Sequence, residues 1–487
     1  MSDLQEILVQ GAQQRDKFLY LKHKNNAITF SEVIPALTEL SSQLPPLRGL
    51  RIVVLLPDAL TTALLHLLCF REGATIIPLS PFTAASNLEY ILHYVCPDLI
   101  LTTAILHNKF DKVLEQESIA IIDDTFPARV HFPGSRCPRD GAGRSSAVRA
   151  ILFTSGTTGT PKGVCLSEGG LFSAAAINST ILGLNPSRCS LVMVPLYDYY
   201  GMIQLYSHAL AKMTCVFGES GQFPKSAFQA ISKQTVTDLV LVPYTLNTLL
   251  DFLDRSPAHE HHQAWKNLAF IASSSDRLPE ALLSRTFLLN PALSVVNVYG
   301  LTEAGRACFH VLHQGFNSSD SIGRASPGMR VWVDAPAGKS GEIIISGPTV
   351  MLGYFRDIVD EQIRFSPVSE IRTGDEGYLG PDNEIHLLGR TDHVLNLYGE
   401  KLHPSAIELP VNRLPGVRTS LAWLERDEQG RRKVALNVVA DQQQVSEEHI
   451  LHALRDQVPR LFLPQVIKFV DSLVRTEIGN KLVRPKG

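Results

Sequence analysis

Short apolar runs alternate with helical periods through the first four-fifths of the chain. Ile52-Val53-Val54-Leu55-Leu56 predicts a strand, and Ala59 to Phe70 an apolar helix. Ala74 to Leu79 predicts the next strand, Leu88 to Val95 a helix, and Leu99 to Thr103 a strand again. Further strands are expected at Ser190 to Val194, Asp238 to Val242, Ala269 to Ala272 and Val295 to Val298. Their apolarity is continuous, as suits strands buried on both faces. This rhythm implies parallel sheets covered by helices, an α/β fold.

The pattern changes near Gly341. Glu342 to Gly347 and Glu384 to Leu388 read as antiparallel strands separated by turn residues. They predict a small β-barrel-like part of the large domain. From about Thr391 the chain reads as a small α+β unit. It has a helix over Ser446 to Val458, capped by Ser446, and a strand over Val466 to Val470. A boundary at Arg390–Asp392 divides the chain into a large N-terminal domain, 1–390, and a small mobile C-terminal domain, 391–487.

A length of 487 residues exceeds what one core usually supports, which agrees with that division. The 45% apolar and 19% charged residues describe an ordinary globular protein, and a net charge of −3 leaves no footprint for nucleic acid or an anionic membrane. The most apolar stretch, Ile52 to Phe70, is broken by Pro57, Asp58 and His66, so it is not a membrane span. The seven cysteines are scattered without a Cys-x-x-Cys pair, and no signal peptide is visible. Reduced, mostly buried thiols and a cytoplasmic location are expected. Residues Ser135 to Ser146 read as an exposed loop, and His259-Glu260-His261-His262 as an exposed helix start rather than a metal site.

The segment Phe153-Thr154-Ser155-Gly156-Thr157-Thr158-Gly159-Thr160-Pro161-Lys162-Gly163-Val164 carries the most chemistry. It follows a short buried strand. Glycines let the backbone approach a polyanion, hydroxyls and N–H groups donate to its oxygens, and Lys162 adds positive charge. It is not a Walker A loop, because Lys162 follows Pro161 rather than glycine. A Gly/Thr-rich surface turn is the competing reading.

Four further segments follow in order: Asn297-Val298-Tyr299-Gly300-Leu301-Thr302-Glu303, Arg372-Thr373-Gly374-Asp375, Gly389-Arg390-Thr391-Asp392 leading into Gly399 to Glu408, and Leu473 to Arg484. With the phosphate segment they resemble the adenylate-forming superfamily: acyl- and aryl-CoA synthetases, nonribosomal-peptide adenylation domains and luciferases. The resemblance spans nearly the whole chain. It implies that a carboxylic acid is activated with ATP and Mg2+ to an acyl-adenylate. The acyl group then passes to a thiol, on CoA or on the phosphopantetheine of a separate acyl or peptidyl carrier protein.

The resemblance also implies roles. Thr154, Ser155, Gly156, Thr157, Thr158, Gly159 and Lys162 would hold phosphates. Asn297, Tyr299 and Gly300 would bind ATP, with Tyr299 stacked on adenine. Thr302 would touch the α-phosphate and Glu303 would bind Mg2+. Asp375 would take the ribose hydroxyls, Arg390 would contact ribose or phosphate, and Asp392 would be the hinge about which the small domain turns. Taken alone, Glu303 also suits a helix first turn, and Asp375 a simple turn.

Two departures stand out. Val474 replaces the usual proline of the C-terminal signature, and Asn480 intervenes between Gly479 and Lys481, so Lys481 fills the catalytic lysine role only across a one-residue insertion. Asp198 stands within Pro195 to Gly201 where CoA synthetases commonly carry histidine, and Asp198 and Tyr199 are expected to contact the acid. An ammonium on the substrate would satisfy a buried Asp198, which favours an amino acid; a bond from Asp198 to a neighbouring tyrosine, with a plain acyl or aryl acid, is the alternative. Ser274 and Ser275 replace glycines of the pocket wall and argue against a long straight chain. Asp471-Ser472-Leu473 resembles a carrier attachment site only by coincidence. The oligomeric state, monomer or dimer, is left open.

Overall fold

A computed structural model describes residues 3–485, apart from 16–18, 24, 116, 124–127, 133–146, 155–160, 218–222, 316–320, 337, 356–367, 382, 398–399, 427–431, 456 and 475–481. Two large sheets dominate it. The first is eight-stranded, in the order Gly353–Tyr354, Lys162–Ser167, Val148–Thr154, Thr75–Pro78, Arg51–Leu55, Leu99–Thr102, Ile119–Ile122 and Val130–His131. Its centre is parallel, and Lys162–Ser167 returns antiparallel on Val148–Thr154.

The second sheet is thirteen-stranded. Thr214–Phe217, Cys189–Val192, Asp238–Leu241, Phe270–Ser274 and Ser294–Leu301 form its parallel middle. Gly305–Leu312, Ser321–Ala325, Ile385–Arg390, Ile371–Leu379, Gly341–Ser346 and Arg330–Asp334 continue it antiparallel at one end. Leu19–His23 and Asn26–Thr29 close the other.

The continuous apolar runs behave as expected: Thr75–Pro78, Leu99–Thr102 and Asp238–Leu241 are buried along their whole length. The helix Ala59–Glu72 begins where the Asp58 carboxylate accepts from the Thr61 N–H at 2.6 Å, and ends at Gly73 with φ of 76°. It is buried almost all round, so its even apolarity reflects packing on every side.

Residues from Leu395 onward share a separate hydrophobic core, built by the strands Val417–Arg426, Arg432–Ala440 and Val466–Phe469 and the helices Ser405–Asn412 and Glu447–Leu454. Ser446 caps the last helix by accepting from the His449 N–H at 3.3 Å. That helix stops at Leu454 rather than Val458, ahead of Pro459.

Other expectations need correction. His261 is not exposed: its ring packs against the stacked pair Phe228 and Phe252, with centroids 5.4 and 5.1 Å away, and its Nδ1 bonds Ser256 Oγ. Helical spacing turns that one histidine inward while His259 faces solvent. Strands Leu19–His23, Asn26–Thr29 and Gly305–Leu312 had no clear periodic signal. Of the cysteines, Cys69, Cys165, Cys189, Cys215 and Cys308 are buried free thiols, whereas Cys96 is exposed. Burial pushes the thiols of Cys69, Cys165 and Cys189 up to about 12. Cys137 and the loop over 135–146 lie outside the described residues, and no helix among the described ones is long and apolar enough to cross a membrane.

Candidate active site

The two large sheets meet at a short turn. Thr302 and Glu303 lie between the antiparallel strands Ser294–Leu301 and Gly305–Leu312, so Glu303 occupies a turn and not the start of a helix. The turn is tight. Gly300 faces the Gly305 carbonyl so closely that an added Cβ would lie 1.9 Å from its oxygen. Gly305 has φ of 74°, and a Cβ there would meet the Thr349 and Tyr199 hydroxyls at 2.6 and 2.8 Å.

Glu303 reaches across to the other sheet. Its Oε1 accepts from the Tyr354 hydroxyl at 3.1 Å, and its backbone carbonyl accepts from the Met351 N–H at 2.8 Å. Tyr354 pairs with Val164 beside the phosphate segment, and the Lys162 ammonium lies 5.4 Å from the Tyr354 ring centroid. Lys162 and Glu303 therefore both approach one tyrosine, Lys162 at its ring and Glu303 at its hydroxyl. Thr154 ends its strand directly opposite Lys162. Ser155, Gly156, Thr157, Thr158 and Gly159 fall outside the described residues, as does Lys481.

A second cluster unites residues far apart in sequence. The Tyr299 hydroxyl donates to Asp375 Oδ2 at 2.6 Å. Arg390 Nη1 donates to the Thr373 carbonyl at 2.7 Å and approaches Asp375 Oδ1 at 3.4 Å. Arg390 Nε donates to Asp392 Oδ1 at 3.2 Å. Asp375 is buried within the strand Ile371–Leu379 and is no turn residue. Burial and the neighbouring Asp375 carboxylate push the Tyr299 hydroxyl well above its ordinary value, so it remains a donor. Asn297, two residues before Tyr299, is buried, and its Oδ1 has no hydrogen-bond partner among the described residues.

The expected acid-contacting residues divide. Tyr199 is buried in the first turn of the helix Tyr199–Ala211, and Asp198 precedes it, half-buried. Ser274 is buried and donates to the Val298 carbonyl at 2.7 Å. Ser275 is exposed, with φ of 78°. Sequence reasoning passed over Tyr354, Thr373 and Arg306. Arg306 is 3% exposed, and its Nη1 donates to Ser274 Oγ at 3.2 Å. Its signal was visible: a single charge inside the apolar run Ala304 to Phe309.

Comparison with known proteins fits this geometry. Residues 8–355 match the model of the AMP-binding enzyme family. The sulfoacetate–CoA ligase of Cupriavidus necator is 29% identical, over 97% of this chain and 95% of that protein. The nonribosomal peptide synthetase ivoA of Emericella nidulans is 24% identical, over 74% of this chain but 21% of that protein. O-succinylbenzoate coenzyme A synthetase of Bacillus subtilis, solved with ATP and a magnesium ion, has the same fold: TM-score 0.77 at 20% identity, covering 98% of each chain. The chain is an AMP-binding enzyme and belongs to the adenylate-forming superfamily.

Proposed function

We propose that the chain activates a small carboxylic acid with Mg-ATP and passes the acyl group to the thiol of CoA. The acid's carboxylate oxygen bonds the α-phosphorus as the bond to pyrophosphate breaks, and the thiolate sulfur then bonds the acyl carbon as AMP departs. The observation that carries this reading is the 2.6 Å bond from Tyr299 to Asp375, with Arg390 against the same carboxylate. It gathers an aromatic face, a carboxylate for two ribose hydroxyls and a cation at one place.

The remaining groups fit that ligand. Asn297 Oδ1 is a buried acceptor suited to the amino group of adenine. Lys162, with the segment Thr154 to Gly159, would neutralise the outer phosphates. Glu303 suits magnesium arriving with the nucleotide. A carboxylate supplies one hard oxygen ligand, phosphates supply others, and the described residues hold no resident cluster of metal-binding side chains. Lys481 would approach the α-phosphate when residues 391–487 turn about Asp392. Alignment with a CoA ligase over almost the full length of both chains supports CoA as acceptor.

A second reading takes an amino acid as the acid and a separate carrier protein as acceptor. Asp198 favours it, because a half-buried carboxylate at the start of the helix Tyr199–Ala211 would be satisfied by an ammonium on the substrate. ATP–pyrophosphate exchange over a panel of acids tests the first step, and mass analysis of CoA and of a phosphopantetheinylated carrier protein tests the second. Exchange that depends on an added acid, abolished by Lys481→Ala, is expected. Absence of exchange with every acid would sink the reading. Exchange confined to aminated acids, with acyl mass on the carrier alone, would select the second one.

A further inference from the structure

Arg306 is a buried cation in the wall formed by the residues expected to contact the acid. Its guanidinium carbon lies 4.3 Å from the Tyr200 ring centroid, and Tyr199 is close enough to interact with its charge. Among the described residues no carboxylate pairs with it. Nη1 is held by Ser274 Oγ, which has committed its own proton to the Val298 carbonyl. Nε and Nη2 are buried without hydrogen-bond partners.

Those two atoms form one edge of the guanidinium. Their N–H groups run parallel, at the spacing of two oxygens on one carboxylate or sulfonate. Burying a full charge with that edge empty costs several kcal/mol unless a counter-charge arrives. Ser274 and Tyr200 fix the plane, and the Tyr200 hydroxyl is itself anchored, donating to the Ala272 carbonyl at 3.0 Å. The fork is held in place, and no described residue hydrogen-bonds its Nε–Nη2 edge.

We propose that Arg306 binds a second anionic group on the acid, so that the substrate is a short dicarboxylic or sulfo-carboxylic acid activated at its other end. The inference rests on the acid-activating reading for the identity of the pocket. It differs from the Asp198 argument in the sign of the charge that the pocket awaits.

Succinate, glutarate and sulfoacetate serve as probes, against butanoate, pentanoate and propanoate. Pyrophosphate exchange and calorimetric binding, the latter with a non-hydrolysable ATP analogue, are measured on the parent protein, Arg306→Met and Arg306→Lys. The parent is expected to favour at least one dianion over its monoanionic counterpart by roughly 10²-fold or more in kcat/KM. Arg306→Met should erase that preference without changing the KM for ATP, and Arg306→Lys should restore part of it. Equal use of dianionic and monoanionic acids by the parent would overturn the proposal. So would an equal loss for both classes in Arg306→Met, since a purely structural role predicts that. Arg306-dependent binding of a dianion without exchange would uphold the anion site while removing the acid-activating reading. Exchange without Arg306-dependent binding would do the reverse.

Discussion

Ser275 shows how one residue reports on the wall around it. Its φ of 78° lies in the left-handed region, where a Cβ crowds the following carbonyl, at a cost of about 1 kcal/mol. The family resemblance places glycine at this position in relatives, and the backbone explains that choice. Ser275 is exposed, so its side chain gains little burial in return. Ser275→Gly is expected to raise the Tm by roughly 1–2 °C, a modest effect because glycine also gains freedom in the unfolded chain. Scanning calorimetry of parent and variant checks this, and a fall in Tm would contradict it. Acid preference in the exchange assay should not change, because Ser274, not Ser275, carries the bond to Arg306. At this scale the sequence singled out Asp375 and Tyr299 through the motifs that hold them, and the two meet in a 2.6 Å hydrogen bond. It was silent on Tyr354, which looks like any tyrosine until pairing with Val164 brings it against Glu303.

Among the elements, the parallel strands were legible because burial on both faces demands unbroken apolar runs. Gly305–Leu312 was not, because Gly305, Arg306 and His310 interrupt the alternation a strand normally shows. Two of those interruptions have local causes: Gly305 makes the turn, and Arg306 is buried against Ser274 and the Tyr200 ring. The strand Asp238–Leu241 has its own polar residue for a different reason. Asp238 opens the strand at 1% exposure, paired with Arg188 at 2.8 Å, and Arg188 lies 4.8 Å from the Phe270 ring centroid on the next strand. The pair clamps neighbouring parallel strands together. Burial pushes the Asp238 carboxyl up more than Arg188 pulls it down, so removal of the cation leaves an expensive charge. Arg188→Met should therefore destabilise the protein by about 3 kcal/mol. Adding Asp238→Asn should recover much of that loss. A double-mutant cycle by chemical denaturation measures both, and additive losses would show that the pair is not coupled.

Across the whole molecule, family membership was legible because the residues that carry it are short motifs that keep their order along the chain. What joins them is not local. Residues 299, 375 and 390 converge through antiparallel pairing at one end of the large sheet, and the hairpin that holds Lys162 is tied to Glu303 through Tyr354 and the neighbouring Met351 and Leu352. The same interior carries a pH liability. His66 and His208 are completely buried, and burial pushes them down to about 3 and about 4. In the unfolded chain both titrate near 6.5. Between those values the unfolded state binds protons that the folded state refuses, so stability is full above about pH 6.5 and falls as the pH drops toward the folded values. Each histidine then contributes a slope of about 1.4 kcal/mol per pH unit. His66→Gln should make the dependence of unfolding free energy on pH shallower by that amount between pH 6 and pH 4, whatever it costs at neutral pH. Denaturation curves at half-unit pH steps decide the matter, and parallel pH profiles for parent and variant would mean that His66 is protonated in the folded protein.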